Sequence, residues 1–206
     1  MKAETDGMTL AQVEAPAVRA LLVEGSLVAS DLLHHVLQSS FTRPVRIETI
    51  STPASAADRL EGWDLVLVDI DLDPEGSLAL LSRIERKTWR LATTLYEDED
   101  RLLPALRCGI HGYLLKQDRP ERQIESLQRA VTGRPEITPA MARAMLQHLR
   151  QEGSGSEMMV RVLNALGRGA SIRETARELD VPAPTVEAMA AEAYRTIGRL
   201  RGVDAA

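Results

Sequence analysis

The sequence predicts an α/β fold, a five-stranded parallel doubly wound sheet, followed by a small all-α helix-turn-helix domain. Three observations carry this reading. Short apolar runs alternate with helical segments between residues 18 and 131. Runs such as LVLV at 65–68 are apolar at every position, which marks strands covered on both faces. No strand-like run follows residue 150, where short amphipathic helices take over. Repeated β-α units imply parallel strands joined by right-handed crossovers.

In chain order, residues 1–16 are polar and unpatterned, which predicts a disordered tail; with one lysine and no apolar run they do not read as a secretory signal. Strands are expected at 18–23 (VRALLV), 45–50 (VRIETI), 64–69 (DLVLVD), 90–95 (RLATTL) and 112–115 (GYLL). Helical spacing covers 27–38, 53–60, 76–86, 98–107 and 120–131. A further helix is expected at 138–150, with Thr138 as its N-cap and Pro139 at the first helical position. QEGSGSE at 151–157 reads as a flexible linker. Beyond it, Met159, Val162, Leu163 and Leu166 form one apolar stripe, and Ile172, Thr175, Ala176 and Leu179 a second. Val186, Met189, Ala190, Ala193, Ile197 and Leu200 form a longer third. Ser171 and Glu174 form a capping box, and DVPAP at 180–184 forms a tight turn in which Asp180 tolerates a left-handed conformation. Short helix, tight turn and longer helix is the plan that places a second helix in the DNA major groove.

Composition bounds the function. The chain has 206 residues, 44% hydrophobic, 27% charged and 3% aromatic, as expected for a soluble protein with an aliphatic core. No apolar run nears the roughly 20 residues needed to span a bilayer. The single cysteine, Cys108, excludes an internal disulfide and fits a reducing cytosol, so a cytoplasmic location is expected. The net charge of −5 is unevenly spread: residues 1–150 hold 18 Lys/Arg against 22 Asp/Glu, and residues 157–206 hold seven of each. A DNA-binding domain usually carries a basic excess, which this helical domain lacks.

Ligands of open parallel sheets bind outside the carboxyl ends of the strands. There the sequence places Glu24, Asp69, Thr94 and Lys116. A carboxylate pair suits a hard cation such as Mg²⁺. An aspartate beside it can attack a phosphoryl group, with Lys and Thr steadying the oxygens. Any one of these residues reads equally well as a loop residue or a solvated charge; four in one topology favour chemistry. No base, nucleophile and orienting group recur together elsewhere, so enzyme function is not expected.

The strings DLVLVDIDL, LATTLYEDED and ALRCGIHGYLLK carry a resemblance, over about 18–133, to the receiver domains of two-component response regulators. The resemblance implies that Asp69 accepts phosphate from a sensor histidine kinase. It also implies that Thr94 and Lys116 bind the phosphoryl group, and that Tyr113 acts as a switch. Mg²⁺ would be held by Glu24, Asp69 and the carbonyl of Asp71. The stretch VEGSLV places Gly25 where the family has a second acid, so Mg²⁺ binding is expected to be weak or absent. Asp73 replaces the family's proline, with Pro74 displaced by one.

GASIRETARELDVPAPTVEAM resembles the output domain of the NarL/FixJ (LuxR-type) regulators, which also carry a receiver in front. The implied division is a tail at 1–16, a receiver-like domain at 17–133, a linker with one helix at 134–156 and a helix-turn-helix domain at 157–206. Thr185, Glu187 and Ala188 would open the recognition helix, with Arg173, Arg195 and Arg199 on the DNA backbone. The family's basic or polar residues are here Glu187, Ala188 and Met189. The chain ends at GVDAA where relatives continue into a dimerisation helix, so a homodimer through the receiver is expected. The expected function is a DNA-binding transcriptional response regulator. The alternatives are a signalling adaptor that no longer reads DNA, and a receiver that senses a ligand directly. Expected partners are DNA and a histidine kinase, with no membrane.

Other residues read as structural. Adjacent His34 and His35 cannot share a helix face, Cys108 suits the core, and EDED at 97–100 suits a helix N-terminus. Trp63 and Trp89 are expected to cover the sheet's edge.

Overall fold

A computed structural model of the chain describes residues 16–199, with the side chains of Gly198 and Arg199 outside that description. All but the last residue of the tail expected at 1–16, and Leu200 with the GVDAA end, lie outside the described residues. Five strands, β1 (Val18–Val23), β2 (Val45–Ile50), β3 (Leu65–Asp69), β4 (Trp89–Thr94) and β5 (Gly112–Leu115), pair in parallel in the order β2-β1-β3-β4-β5. Five helices alternate with them: α1 (Leu27–Ser39), α2 (Pro53–Ala56), α3 (Pro74–Arg83), α4 (Glu99–Arg107) and α5 (Pro120–Val131).

Strand periodicity divides the core. Ala20 and Leu22 of β1 face a cluster shared with α1 and α5, while Leu21 and Val23 face α3 and α4. β3 is buried along its whole length, as its unbroken apolar run requires.

Two helices differ from expectation. The helix expected at 53–60 is only Pro53–Ala56. Beyond it the chain turns at Gly62 (φ +77°), and the Arg19 guanidinium lies 2.9 Å from where a β-carbon would sit. α3 begins earlier than expected, because Asp73 caps it: its carboxylate accepts from Gly76 N at 3.1 Å, and Pro74 takes the first turn. The displaced proline is therefore a helix start. The tryptophans do not lie on the edge strands β2 and β5. Trp63 is buried with its indole N–H donating to Arg59 O at 2.6 Å, and Trp89 opens the inner strand β4.

Helix α6 (Pro139–Gln151) is capped by Thr138, whose hydroxyl accepts from Met141 N at 3.3 Å. Met141, Met145 and Leu149 are fully buried, and α6 packs on α4 and on α7 (Glu157–Gly167). The segment expected as a linker thus contains a core helix, and only 152–156 lie between it and α7. α8 (Ile172–Leu179) carries the capping box, and Asp180 follows it with φ +53°. α9 (Ala183–Arg199) buries Val186, Ala190, Ala193, Tyr194 and Ile197 against α4, α6, α7 and α8. One apolar cluster therefore runs from the sheet through α4 into the C-terminal helices. Arg143 pairs with Glu99, and the Arg107 guanidinium donates to His148 Nδ1 at 3.2 Å and Gln151 Oε1 at 3.1 Å across the same junction.

Candidate functional site

The strand order reverses between β1 and β3, the point at which an open parallel sheet leaves a crevice above its carboxyl ends. Val23 pairs with Val68, so Glu24 and Asp69 emerge side by side into that crevice. Both are almost wholly buried, at 3% and 5% exposure, which only pairing makes tolerable. Lys116 supplies it. Its amide is held by Thr94 O at 2.8 Å as β5 ends beside β4, and its Nζ lies 2.6 Å from Glu24 Oε2 and 2.7 Å from Asp69 Oδ2. Burial pulls the Lys116 ammonium down, but hydrogen bonds and charge from Asp69 and Glu24 outweigh it and hold its pKa above the usual value. The other oxygens are also bonded: Ser26 N donates to Glu24 Oε1 at 2.9 Å and Asp71 N to Asp69 Oδ1 at 3.0 Å.

Thr94 is fully buried at the end of β4 but is not bonded to Asp69. Its hydroxyl lies 3.1 Å from both Asp71 carboxylate oxygens, Leu95 N donates to Asp71 Oδ2 at 2.6 Å, and Arg101 reaches Asp71 Oδ1 at 2.5 Å. Arg101 in turn pairs with Asp98 at 3.1 Å and lies 4.6 Å above the Tyr96 ring. Asp71 is therefore a resident anion in a cradle of donors from the β4–α4 junction. Arg101 and the Leu95 amide escape sequence reasoning; the one available signal is an arginine just past the acidic run EDED.

Tyr113 is half-buried, and its hydroxyl meets Glu97 Oε1 at 2.7 Å and Thr138 Oγ1 at 2.9 Å, spanning from β5 to the cap of α6. Burial, and the Glu97 carboxylate after it, push the phenol well above its usual pKa despite the Thr138 hydrogen bond, so it stays neutral. The ring thus sits between the strand ends and the C-terminal helices.

The donor set tests a metal. Glu24 and Asp69 share one ammonium, Gly25 brings no carboxylate, and the Asp71 carboxylate is committed to Arg101. A β-carbon at Gly25 would lie 2.8 Å from Leu72 Cδ1, so an apolar side chain covers the place of the missing acid. No group of three His, Cys, Asp or Glu side chains gathers among the described residues. As arranged, the residues do not fit a divalent cation.

On the helix-turn-helix, Arg173, Glu187, Ala188 and Arg195 are exposed and Thr185 is half-buried; the Arg199 side chain lies outside the described residues. Glu187, Ala188 and Arg195 line an open cleft of about 790 Å³ whose far wall carries Arg122, Arg129 and Arg134. The expected DNA-reading surface therefore faces α5 and the loop after it. No helix among the described residues is long and apolar enough to cross a membrane.

No protein-family model matches the chain. Among curated proteins it is similar to the transcriptional regulatory protein YdfI of Bacillus subtilis, 24% identical over 191 residues, spanning 87% of this chain and 89% of that one. It is also similar to the oxygen regulatory protein NreC of Staphylococcus carnosus, 25% identical over 187 residues, spanning 79% and 85%. Among solved structures, RcsB from Salmonella enterica serovar Typhimurium, bound to a promoter, shares the fold with a TM-score of 0.53 at 16% identity, over 89% of this chain and 93% of that one. Alignments of such length run through the sheet and the C-terminal helices alike, so the similarity to these transcription-regulating proteins covers both parts of the chain.

Proposed function

We propose that the chain is a cytoplasmic, non-enzymatic transcription regulator that receives a phosphoryl group on Asp69 and binds DNA through α8 and α9. The buried Glu24–Lys116–Asp69 group at the sheet's switch point carries this reading, since a buried ion cluster adds little net stability and charged groups gathered in a crevice mark functional sites. A carboxylate oxygen of Asp69 attacks the phosphorus of a kinase phosphohistidine. The P–N bond breaks, its electrons return to the imidazole, and an acyl phosphate remains. Lys116 follows the new charge from the carboxylate to the phosphoryl oxygens. Thr94 and the Leu95 amide become available only when Asp71 releases them. Because Asp71 is tied through Arg101 to α4, that exchange would reach the helix on which α6 and α9 pack. Domain separation would then free α9 for the major groove, and two copies joined through their receivers would read two half-sites. The relatives' description as transcriptional and oxygen regulatory proteins supports this reading. Division into a receiver at 17–133 and a helix-turn-helix domain from 157, with α6 between them, belongs to the same proposal.

The test is to incubate the full chain with acetyl phosphate and resolve the products on a phosphate-affinity gel. An acid-labile band that Asp69→Asn abolishes is expected, together with selective binding to genomic fragments by fluorescence anisotropy. Failure of both overturns the proposal. A band without DNA binding favours a second reading, an adaptor acting through protein contacts, which Glu187 and the neutral charge of residues 157–206 support.

A further inference from the structure

The amino-terminal end of the sheet, opposite Asp69, holds a cavity of about 370 Å³ between the starts of β4 and β5 and the buried side of α9. Its volume falls in the range of small-molecule sites. Arg86, Arg90 and Arg195 line it, and no Asp or Glu among the described residues does, in a chain whose net charge is −5. Among the described residues, no carboxylate pairs with any of the three. Two residues that line it each carry a buried polar atom with no partner among the described residues: Arg90 Nε and the hydroxyl of Tyr194, a residue only 4% exposed. Such groups normally find a hydrogen bond, and leaving them unpaired is costly. Arg90 is firmly placed. Arg90 NH1 is fixed by Cys108 O at 3.1 Å, and Gly109 (φ +74°) lets the guanidinium approach within 3.1 Å of where a β-carbon would stand. The wall also offers rings: Trp89 and His111 meet edge to face at 4.7 Å. His111 Nδ1 accepts from Arg90 N at 3.0 Å, leaving Nε2 as the protonated nitrogen of a neutral imidazole.

We propose that this cavity binds a small aromatic anion, a ring bearing a carboxylate or a phosphate. The guanidiniums take the charged group, since their planar forks match both carboxylate and phosphate. Trp89 and His111 take the ring, and the Tyr194 hydroxyl and Arg90 Nε gain their missing partners. Because β4 and β5 belong to the receiver and Tyr194 and Arg195 to α9, a bound ligand holds the two domains together and keeps the recognition helix against the receiver. This control does not depend on phosphate at Asp69.

Isothermal titration calorimetry on the full chain tests it with three probes: benzoate, adenosine monophosphate and inorganic phosphate. Saturable binding of benzoate or the nucleotide is expected, with a Kd on the order of 0.1 mM; which of the two binds tells carboxylate from phosphate. Inorganic phosphate, lacking a ring, is expected to bind more weakly. Arg86→Ala should weaken the ring probe about tenfold. Tyr194→Phe should weaken it about fivefold while leaving the melting temperature of the free protein unchanged or higher, because it removes an unpaired buried hydroxyl. Silence from both ring probes overturns the proposal. So does inorganic phosphate binding equal to theirs, or full affinity in Tyr194→Phe.

Discussion

At the carboxyl ends of β1, β3, β4 and β5, each buried charge meets an opposite one: Lys116 lies against Glu24 and Asp69, and Asp71 against Arg101. At the amino ends of β4 and β5, Arg86, Arg90 and the nearby Arg195 meet no carboxylate among the described residues. Both ends belong to one sheet, so the fold alone does not account for the difference. An end whose charges are all paired internally changes state only by exchange, one anion displacing another. An end with unpaired cations gains an anion without displacing one. In the proposed function the first is a switch that must be opened, and in the further proposal the second is a receptor that waits to be filled.

The largest expected effect breaks the paired end. Lys116→Met leaves two buried carboxylates with no counter-charge and should cost about 3–5 kcal/mol in urea denaturation at neutral pH. A loss under about 1 kcal/mol, the range of an exposed pair, would mean that water already screens the site.

Next comes a titration at the unpaired end. Burial, with the Arg90 charge beside it, lowers His111 to about 4 from 6.5, against a smaller upward pull from its hydrogen bond to Arg90 N. The unfolded chain therefore binds a proton that the folded chain refuses between these values. Stability from this group is complete above about 6.5 and is lost as pH falls toward 4, by at most about 3 kcal/mol. His111→Gln should flatten the denaturation midpoint across that window. A slope unchanged in the variant would assign the pH dependence elsewhere, with buried His148, also held low by burial and Arg107, as the next group to replace.

A smaller change returns to the paired end. Gly25→Asp should raise Mg²⁺ affinity about tenfold, near 1.4 kcal/mol, as Leu72, 39% exposed, swings aside. Equal Mg²⁺ titrations of both forms, followed by tryptophan fluorescence, would show that Lys116 alone sets cation access.

The smallest effect concerns the cleft between the two ends, where Glu187 faces Arg122, Arg129 and Arg134. Glu187→Lys replaces a carboxylate with a cation both toward those arginines and toward DNA phosphates. It should steepen the salt dependence of log affinity by about 0.9, one phosphate contact, in an anisotropy series on genomic fragments. An unchanged slope would place residue 187 away from DNA.

Much of this was readable in advance, for identifiable reasons. Apolar runs locate β1 and β3 within a residue because strands buried on both faces leave little polar choice, while the half-buried edge strand β2 is legible from its interleaved Val45, Ile47 and Ile50. Glu24, Asp69, Thr94 and Lys116 are legible because strand register alone brings them to one end. The capture of Thr94 by Asp71 is not legible. It depends on Arg101 reaching back from α4 and on a backbone amide, neither of which has a sequence period. The packing of α6 is hidden for a related reason: its buried methionines show a helix but not its neighbour, and the Gly/Ser stretch after it suggests more freedom than five residues between packed helices allow. The unpaired arginines are invisible as well, because Arg86, Arg90 and Arg195 meet only through the fold.

In the proposed mechanism Asp71 is the resident anion that a phosphoryl group at Asp69 displaces. Nitrogen-15 NMR of the Leu95 amide, before and after acetyl phosphate, measures this directly, with phosphorylation of Asp69 verified by mass spectrometry on the same sample. The predicted result is a large Leu95 shift on phosphorylation in the wild type. In Asp71→Ala the amide should already be displaced before phosphate is added. A fully phosphorylated wild type whose Leu95 amide does not move would contradict the account, since the cradle would then still hold Asp71 while Asp69 carries the phosphoryl group.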